Sequence, residues 1–250
     1  MRKEEIRIYN EFFAKLGKKD VIILDAATGS GRTTLEIAKR ITGKVLSVDI
    51  DVSRDAHDMI RDAGYASRVE FVEANLGKMD FLHDNAVDAI VSHATLSSIP
   101  SETPCMLYDV FKEFYRILKP QGFILIFDYY PLEEAATRGK ADKIAEEAWR
   151  TYKAVAELLG DYHHEELPPE WVCKTLAEVG FQDVTYEKVS ERRLSETFGE
   201  YVENMLEYVK EIEDKGLRNA FEKKVQQLAK DAKKYGKSDY SDTYGVWGRK

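Results

Sequence analysis

The chain predicts a doubly wound α/β fold, on the strength of three observations. Residues 21–24 form a short apolar run of the kind that a strand buried on both faces needs. It leads into Asp25-Ala26-Ala27-Thr28-Gly29-Ser30-Gly31, where glycines let the backbone approach a ligand closely. Residues 33–40 then read as a helix, and a second apolar run at 45–48 ends on Asp49, about 18 residues past Gly31. Strand, tight loop, helix and strand in that order begin a parallel sheet that binds ligands beyond the carboxyl ends of its strands.

A carboxylate at the second strand end, Asp49, can accept both hydrogen bonds of a ribose diol, so the loop predicts a nucleotide cofactor. The spacing argues against a dinucleotide. A pyrophosphate on the helix N-terminus wants a third Gly or Ala three residues after the second, and Thr34 stands there. Asp25 would repel a pyrophosphate but suits a zwitterion that carries an ammonium group.

Three further segments extend the pattern. Residues 69–76 alternate as a third strand and end in a polar position, Asn75. Val87-Asp88-Ala89-Ile90-Val91-Ser92 makes a fourth. Residues 111–118 form a helix, Lys119-Pro120-Gln121-Gly122 a turn, and residues 123–128 a fifth strand ending on Asp128.

These motifs, in this order over roughly residues 20–130, resemble the class I S-adenosylmethionine-dependent methyltransferases. The glycine loop is similar to the family's first motif, with Ala27 where its first glycine usually stands. A methyl group is tolerated there provided φ is not positive. Asn75 replaces the usual Asp, and its side-chain carbonyl can accept from an adenine amino group. The wording Arg116-Ile117-Leu118-Lys119-Pro120 resembles the family as well, with Gln121 in place of one of two glycines. The resemblance implies a Rossmann-like, mostly parallel seven-stranded sheet with an antiparallel last strand. It implies S-adenosylmethionine as cofactor, with Asp25, Ala27, Gly29 and Gly31 around the methionine portion, Asp49 on the ribose, Asn75 and Leu76 at the adenine, and Ser92 completing the binding set.

Beyond the motifs, residues 170–180 read as a helix ended by Gly180, followed by a sixth strand at 183–189, which resembles the family's usual sixth unit. A helix is expected over about 132–159. Residues 192–236 are expected to form two amphipathic helices inserted between strands six and seven, as a substrate lid or a dimer face, and residues 240–248 the last strand. The whole chain, 1–250, is read as a single methyltransferase domain. An N-terminal helix at 4–16, with Ile8, Phe12, Phe13 and Leu16 at helical spacing and Gly17 at its end, is a second lid candidate; Tyr9 and Phe13 either line it or pack onto the sheet.

Transfer from a sulfonium is an in-line displacement whose leaving thioether needs no proton, so orientation carries much of the rate. A general base is needed only if the acceptor arrives protonated. His93, after the fourth strand, has the pKa range for that role, or packs against the cofactor; Tyr129 and Tyr130, after the fifth, offer an aromatic wall or hydroxyl donors, although neighbours on a strand face opposite sides. His163-His164-Glu165-Glu166 invites a metal reading, but adjacent histidines diverge, and no metal is expected.

A net charge of −8 makes nucleic acid an unlikely partner, since phosphate binding needs clustered Lys and Arg. No apolar run reaches about 18 residues, so no membrane span is expected. With no apolar segment near Met1, and two cysteines, Cys105 and Cys173, far apart, a cytoplasmic location is expected. The acceptor reading is a small molecule, with a homodimer possible. Methylation of tRNA or protein, and a non-enzymatic cofactor-binding sensor or assembly subunit, stay open as alternatives.

Overall fold

The computed structural model describes residues 3–17, 20–99, 105–131, 139–160, 166–189, 194–195, 199–238 and 243–250. The chain falls into two compact units. One comprises Met1–Tyr130, Glu165–Val189 and Thr243–Lys250, the other Pro131–His164 and Ser190–Asp242.

The first unit is a seven-stranded sheet. Its strands are β1 (Ile22–Ala26), β2 (Lys44–Asp49), β3 (Val69–Glu73), β4 (Val87–His93), β5 (Leu118–Tyr129), β6 (Gln182–Val189) and, last in the chain, β9 (Thr243–Arg249). The order across the sheet is β3-β2-β1-β4-β5-β9-β6. The pairs from β3 to β5 are parallel, and β9 runs antiparallel to both β5 and β6. This is the predicted Rossmann-like sheet with its antiparallel last strand.

Burial on both faces explains the continuous apolar runs in the central strands. On one face Ile23, Ala89, Val91, Leu125 and Phe127 pack with Ile8, Tyr9 and Phe12 of α1 (Lys3–Leu16) and with Ile37 and Ala38 of α2 (Arg32–Arg40). On the other, Leu24, Ile90, Ile124 and Ile126 pack with Phe111, Phe114 and Ile117 of α4 (Cys105–Ile117) and with Val172 and Leu176 of α6 (Pro169–Val179). The helix α3 (Arg54–Asp62) joins β2 to β3, with Ser53 accepting the Ala56 N–H at its start.

The family-like wording before β5 has a structural basis at the end of the sheet away from the glycine loop. Arg116 donates to the carbonyls of Met79 and Leu82 and pairs with Asp84 and Glu113, fastening the end of α4 to the β3–β4 connection. Asp88 accepts the Ile22 N–H and the Lys119 ammonium, both at 2.9 Å, so one carboxylate ties β4 to β1 and β5. The segment expected as a turn at 119–122 continues β5, with Gln121 at φ 65°, a value glycine adopts with less strain.

The second unit holds α5 (Lys140–Leu158), α7 (Gly199–Lys210), α8 (Lys215–Tyr235) and a two-stranded ladder of β7 (Leu194–Ser195) and β8 (Lys237–Ser238). Ile144 and Ala148 pack against Leu228 and Ala232, and Val155 against Met205, Val209, Ile212 and Val225. The second inserted helix begins one residue before Gly216, because Asp214 caps it by accepting the Leu217 N–H at 2.7 Å. The ladder was not expected from the sequence. His163, His164, Glu165, Cys105's side chain and the start of the helix expected at 132 lie outside the described residues. No described helix is long and apolar enough to cross a membrane.

Candidate functional site

Where β1 hands over to α2, the chain turns through three residues in the left-handed region: Ala27 at φ 72°, Gly29 at 50° and Gly31 at 79°. Gly31 also lies where a Cβ would come within 3.1 Å of Ala56, so the loop is seated on α3. A Cβ on Gly29 would meet nothing within 4 Å, so that stretch of backbone faces open space. Ala27 alone brings a side chain to a positive φ here, so the condition under which its methyl group is strain-free is not met.

Behind the loop a buried polar network holds it in place. Asp25 is fully buried, and its Oδ2 accepts from Thr34 Oγ1 at 2.6 Å and from Ser47 Oγ at 3.0 Å; Thr28 Oγ1 lies 2.8 Å from the same Ser47 hydroxyl. Asp25 Oδ1 has no hydrogen-bond partner among the described residues. Burial pushes the Asp25 carboxyl up to about 7 against the opposing pull of the two hydroxyls.

In front of the loop lies a cleft of about 270 Å³, lined by Ala27, Gly29, Asp49, Ile50, Asn75, Leu76, His93, Ala94, Thr95, Ser98, Ile99, Met106 and Val110. It opens at the carboxyl ends of β1, β2 and β4, where an open α/β sheet places its ligands. Asp49 is held by the N–H groups of Gly29 (2.9 Å) and Ile50 (2.8 Å). Asn75 Oδ1 accepts the Gly77 N–H at 2.8 Å, which sets the turn after β3. Ile50 is 76% exposed, an aliphatic side chain presented at the cleft wall.

Six residues expected at the site, Ala27, Gly29, Asp49, Asn75, Leu76 and His93, therefore line one cleft. Five others do not. Asp25 is buried behind the loop, Gly31 packs on α3, and Ser92 is buried with its hydroxyl unpaired among the described residues. Tyr130 packs against the Tyr244 ring (6.0 Å) on the α4 and α6 face, with Lys188 Nζ 4.2 Å from its centroid, and Tyr129 is half-buried at the end of β5.

Two carboxylates that had no assigned role shape the site. Asp128 accepts the N–H groups of Leu96 and Tyr129, both at 2.7 Å, so it fixes the loop after β4 that supplies Thr95 and Ser98 to the cleft. Burial raises its carboxyl to about 6. Glu5, on α1, is 4% exposed; its Oε1 accepts from Thr243 Oγ1 at 3.3 Å and lies 4.0 Å from His93 Nε2. A sequence signal for it exists: Glu5 is in phase with Ile8, Tyr9 and Phe12 on the buried stripe of α1.

A second cavity, about 380 Å³, lies between α1 and the start of β5 and end of β9, lined by Ile8, Phe12, Phe123 and Trp247 among others. It is at the amino end of β5, away from the glycine loop.

Comparison with known proteins agrees with this geometry. Residues 23–122 match the model of a methyltransferase domain. The ubiquinone/menaquinone biosynthesis C-methyltransferase UbiE of Azotobacter vinelandii is 26% identical over 201 residues, spanning 74% of this chain and 76% of that protein. Among solved structures, a SAM-dependent methyltransferase from Archaeoglobus fulgidus superposes with a TM-score of 0.55 at 18% identity, covering 99% of this chain and 92% of the other. The [4+2]-cyclase SpnF gives a TM-score of 0.60 at 20% identity, covering 97% and 80%. At these identities the two structures speak for the fold alone. The ordered motifs, the matching methyltransferase domain over residues 23–122 and the relative from Azotobacter vinelandii together make the chain similar to the class I S-adenosylmethionine-dependent methyltransferases.

Proposed function

We propose that the chain methylates a small-molecule acceptor, with the cofactor held in the cleft in front of the glycine loop. The observation that carries this reading is the convergence of Ala27, Gly29, Asp49, Asn75, Leu76 and His93 on that one cleft. The residues fit the cofactor on two counts. The unpartnered Asp25 Oδ1 is a buried acceptor whose desolvation an ammonium group would relieve, and the open space over Gly29 is a cradle that any side chain would fill.

In this reading Gly29 lines the methionine portion, with Asp25, Gly31 and Ser92 backing the loop behind it, while Asp49 takes the ribose diol and Asn75 and Leu76 the adenine. Ile50 adds an apolar surface for the base. When bound, the cofactor supplies a methyl group on a sulfonium, which leaves behind a neutral thioether. The chain's own task is then to orient and desolvate an acceptor, a contribution of several kcal/mol, on the order of what well-placed intramolecular reactions gain. His93 takes the proton of an acceptor that arrives protonated, and Tyr129, at the end of β5, flanks the acceptor side.

A small-molecule acceptor is supported by the relative from Azotobacter vinelandii, whose name places it in ubiquinone/menaquinone biosynthesis, and by the chain's net acidic charge. The helices at 192–236 are proposed as a lid or a homodimer face, and a cytoplasmic location follows from the sparse cysteines. Calorimetric titration with S-adenosylhomocysteine, with NAD as control, tests the cofactor site: one-to-one binding of the thioether alone is expected, and binding of NAD instead would overturn it. Consumption of S-adenosylmethionine across an acceptor panel then tests the acceptor class. Methylated tRNA or protein in place of a small product would reverse that part.

A further inference from the structure

We propose that Glu5 is a positioning residue for His93, so that the two form a carboxylate–imidazole pair between the N-terminal helix and the cofactor cleft. The proposal rests on the cleft reading above and adds a residue to it. Three observations support it. Glu5 is almost completely buried, a placement that carboxylates avoid unless something compensates. Its Oε1 is steadied by Thr243 of β9 at 3.3 Å and stands 4.0 Å from His93 Nε2, which is ion-pair range rather than a hydrogen bond. The imidazole is held edge-on to Phe127, ring centroids 5.5 Å apart, while Tyr9 of the same helix stacks on that ring at 5.3 Å, so α1 and β5 together fix where His93 sits.

A buried carboxylate at this distance favours the imidazolium and strengthens His93 as a base. Besides Glu5, the buried ionisable groups on α1, β1, β4, β5 and β9 are Tyr9, Asp25, Asp88, Asp128 and Tyr244, and Asp49 ends β2. Of these, Asp49 shares the cleft lining. Asp25 hydrogen-bonds to Thr34 and Ser47, and Asp128 to the Leu96 and Tyr129 amides. Glu5 is the carboxylate in ion-pair range of the ring among the described residues. His93 would take the proton of the acceptor's nucleophile, with Glu5 offsetting the positive charge this places on the ring. Such a pair serves a nucleophile that arrives protonated, a hydroxyl or an ammonium, and is superfluous for a thioether or a tertiary amine.

The test is a pH titration of the His93 ring resonances by NMR in wild type, Glu5→Gln and Glu5→Asp. In wild type the midpoint is expected above the ordinary value of about 6.5. Glu5→Gln is expected to lower it by about one pH unit, a tenfold loss of proton affinity, and to move the acid limb of kcat/KM by the same amount. Glu5→Asp, which keeps the charge, should restore most of the shift. A Glu5→Gln midpoint equal to wild type overturns the proposal, as does a wild-type midpoint at or below about 6.5, a reading that needs no variant to fold. S-adenosylhomocysteine affinity within about twofold of wild type in Glu5→Gln separates this outcome from failure of the cofactor site, since a twofold change is only about 0.4 kcal/mol.

Discussion

Asp49 accepts the backbone N–H of Gly29 through Oδ2 at 2.9 Å, which ties the end of β2 to the glycine loop. The carboxylate thus shapes the loop as well as offering its remaining lone pairs to a ribose. Asp49→Ala is expected to weaken S-adenosylhomocysteine binding at least about tenfold, the order of one charge-assisted hydrogen bond, in a folded protein. Calorimetry reads this directly; unchanged affinity would remove Asp49 from the site.

Ala27 carries a side chain at φ 72° in a loop whose other left-handed residues are glycines. Ala27→Gly relieves that strain, and we expect a gain of about 1 kcal/mol, or roughly 2–4 °C in Tm for a chain of this size. A thermal melt decides it, and a variant that melts at or below wild type would show that the loop is not strained at this position.

Stability should fall as pH rises across the weakly acidic range. Burial raises Asp25 to about 7 and Asp128 to about 6, each above the 3.8 of an unperturbed aspartate. Between those limits the native state holds more protons than the unfolded chain, so each rise in pH favours unfolding, by up to about 1.4 kcal/mol per pH unit for each group still titrating. The protection is full below the unfolded value and gone once pH passes the folded one. Urea unfolding across this window should show the decline, and Asp25→Asn should flatten its upper part. A wild-type curve that rises through the window would contradict the assignment.

Arg116 serves the fold and not the chemistry, since its partners lie on α4 and the β3–β4 connection. Arg116→Ala is expected to cost about 2 kcal/mol, the scale of hydrogen bonds to a charged group, while S-adenosylhomocysteine affinity stays near wild type. Chemical denaturation and calorimetry on one preparation separate the two effects, and a selective loss of affinity would move Arg116 into the site.

The sheet was legible because strands buried on both faces are largely apolar, as residues 21–24 and 123–127 are throughout and residues 45–48 are apart from Ser47. The cleft's polar half was legible because Gly29, Asp49 and Asn75 fall at strand ends. Its apolar half was not: Met106 and Val110 sit on α4, where Val110 also joins the core with Leu107, Phe111, Phe114 and Ile117, and a helix pattern does not say which of them face a ligand. Tyr130 shows a related ambiguity, for strand position alone left open which face it joins, and it packs with Tyr244. The β7–β8 ladder was invisible because two-residue strands have no period to read.

The antiparallel strand β9 lies between β5 and β6, and its residue Arg249 pairs with Phe123. In a growing chain, β6 therefore waits without a sheet neighbour until the segment 243–250 has emerged. Pairing this edge of the sheet therefore requires closing the loop of residues 190–242. Thr243, which steadies Glu5, arrives on the same strand, so the setting of His93 is finished only when the sheet itself is.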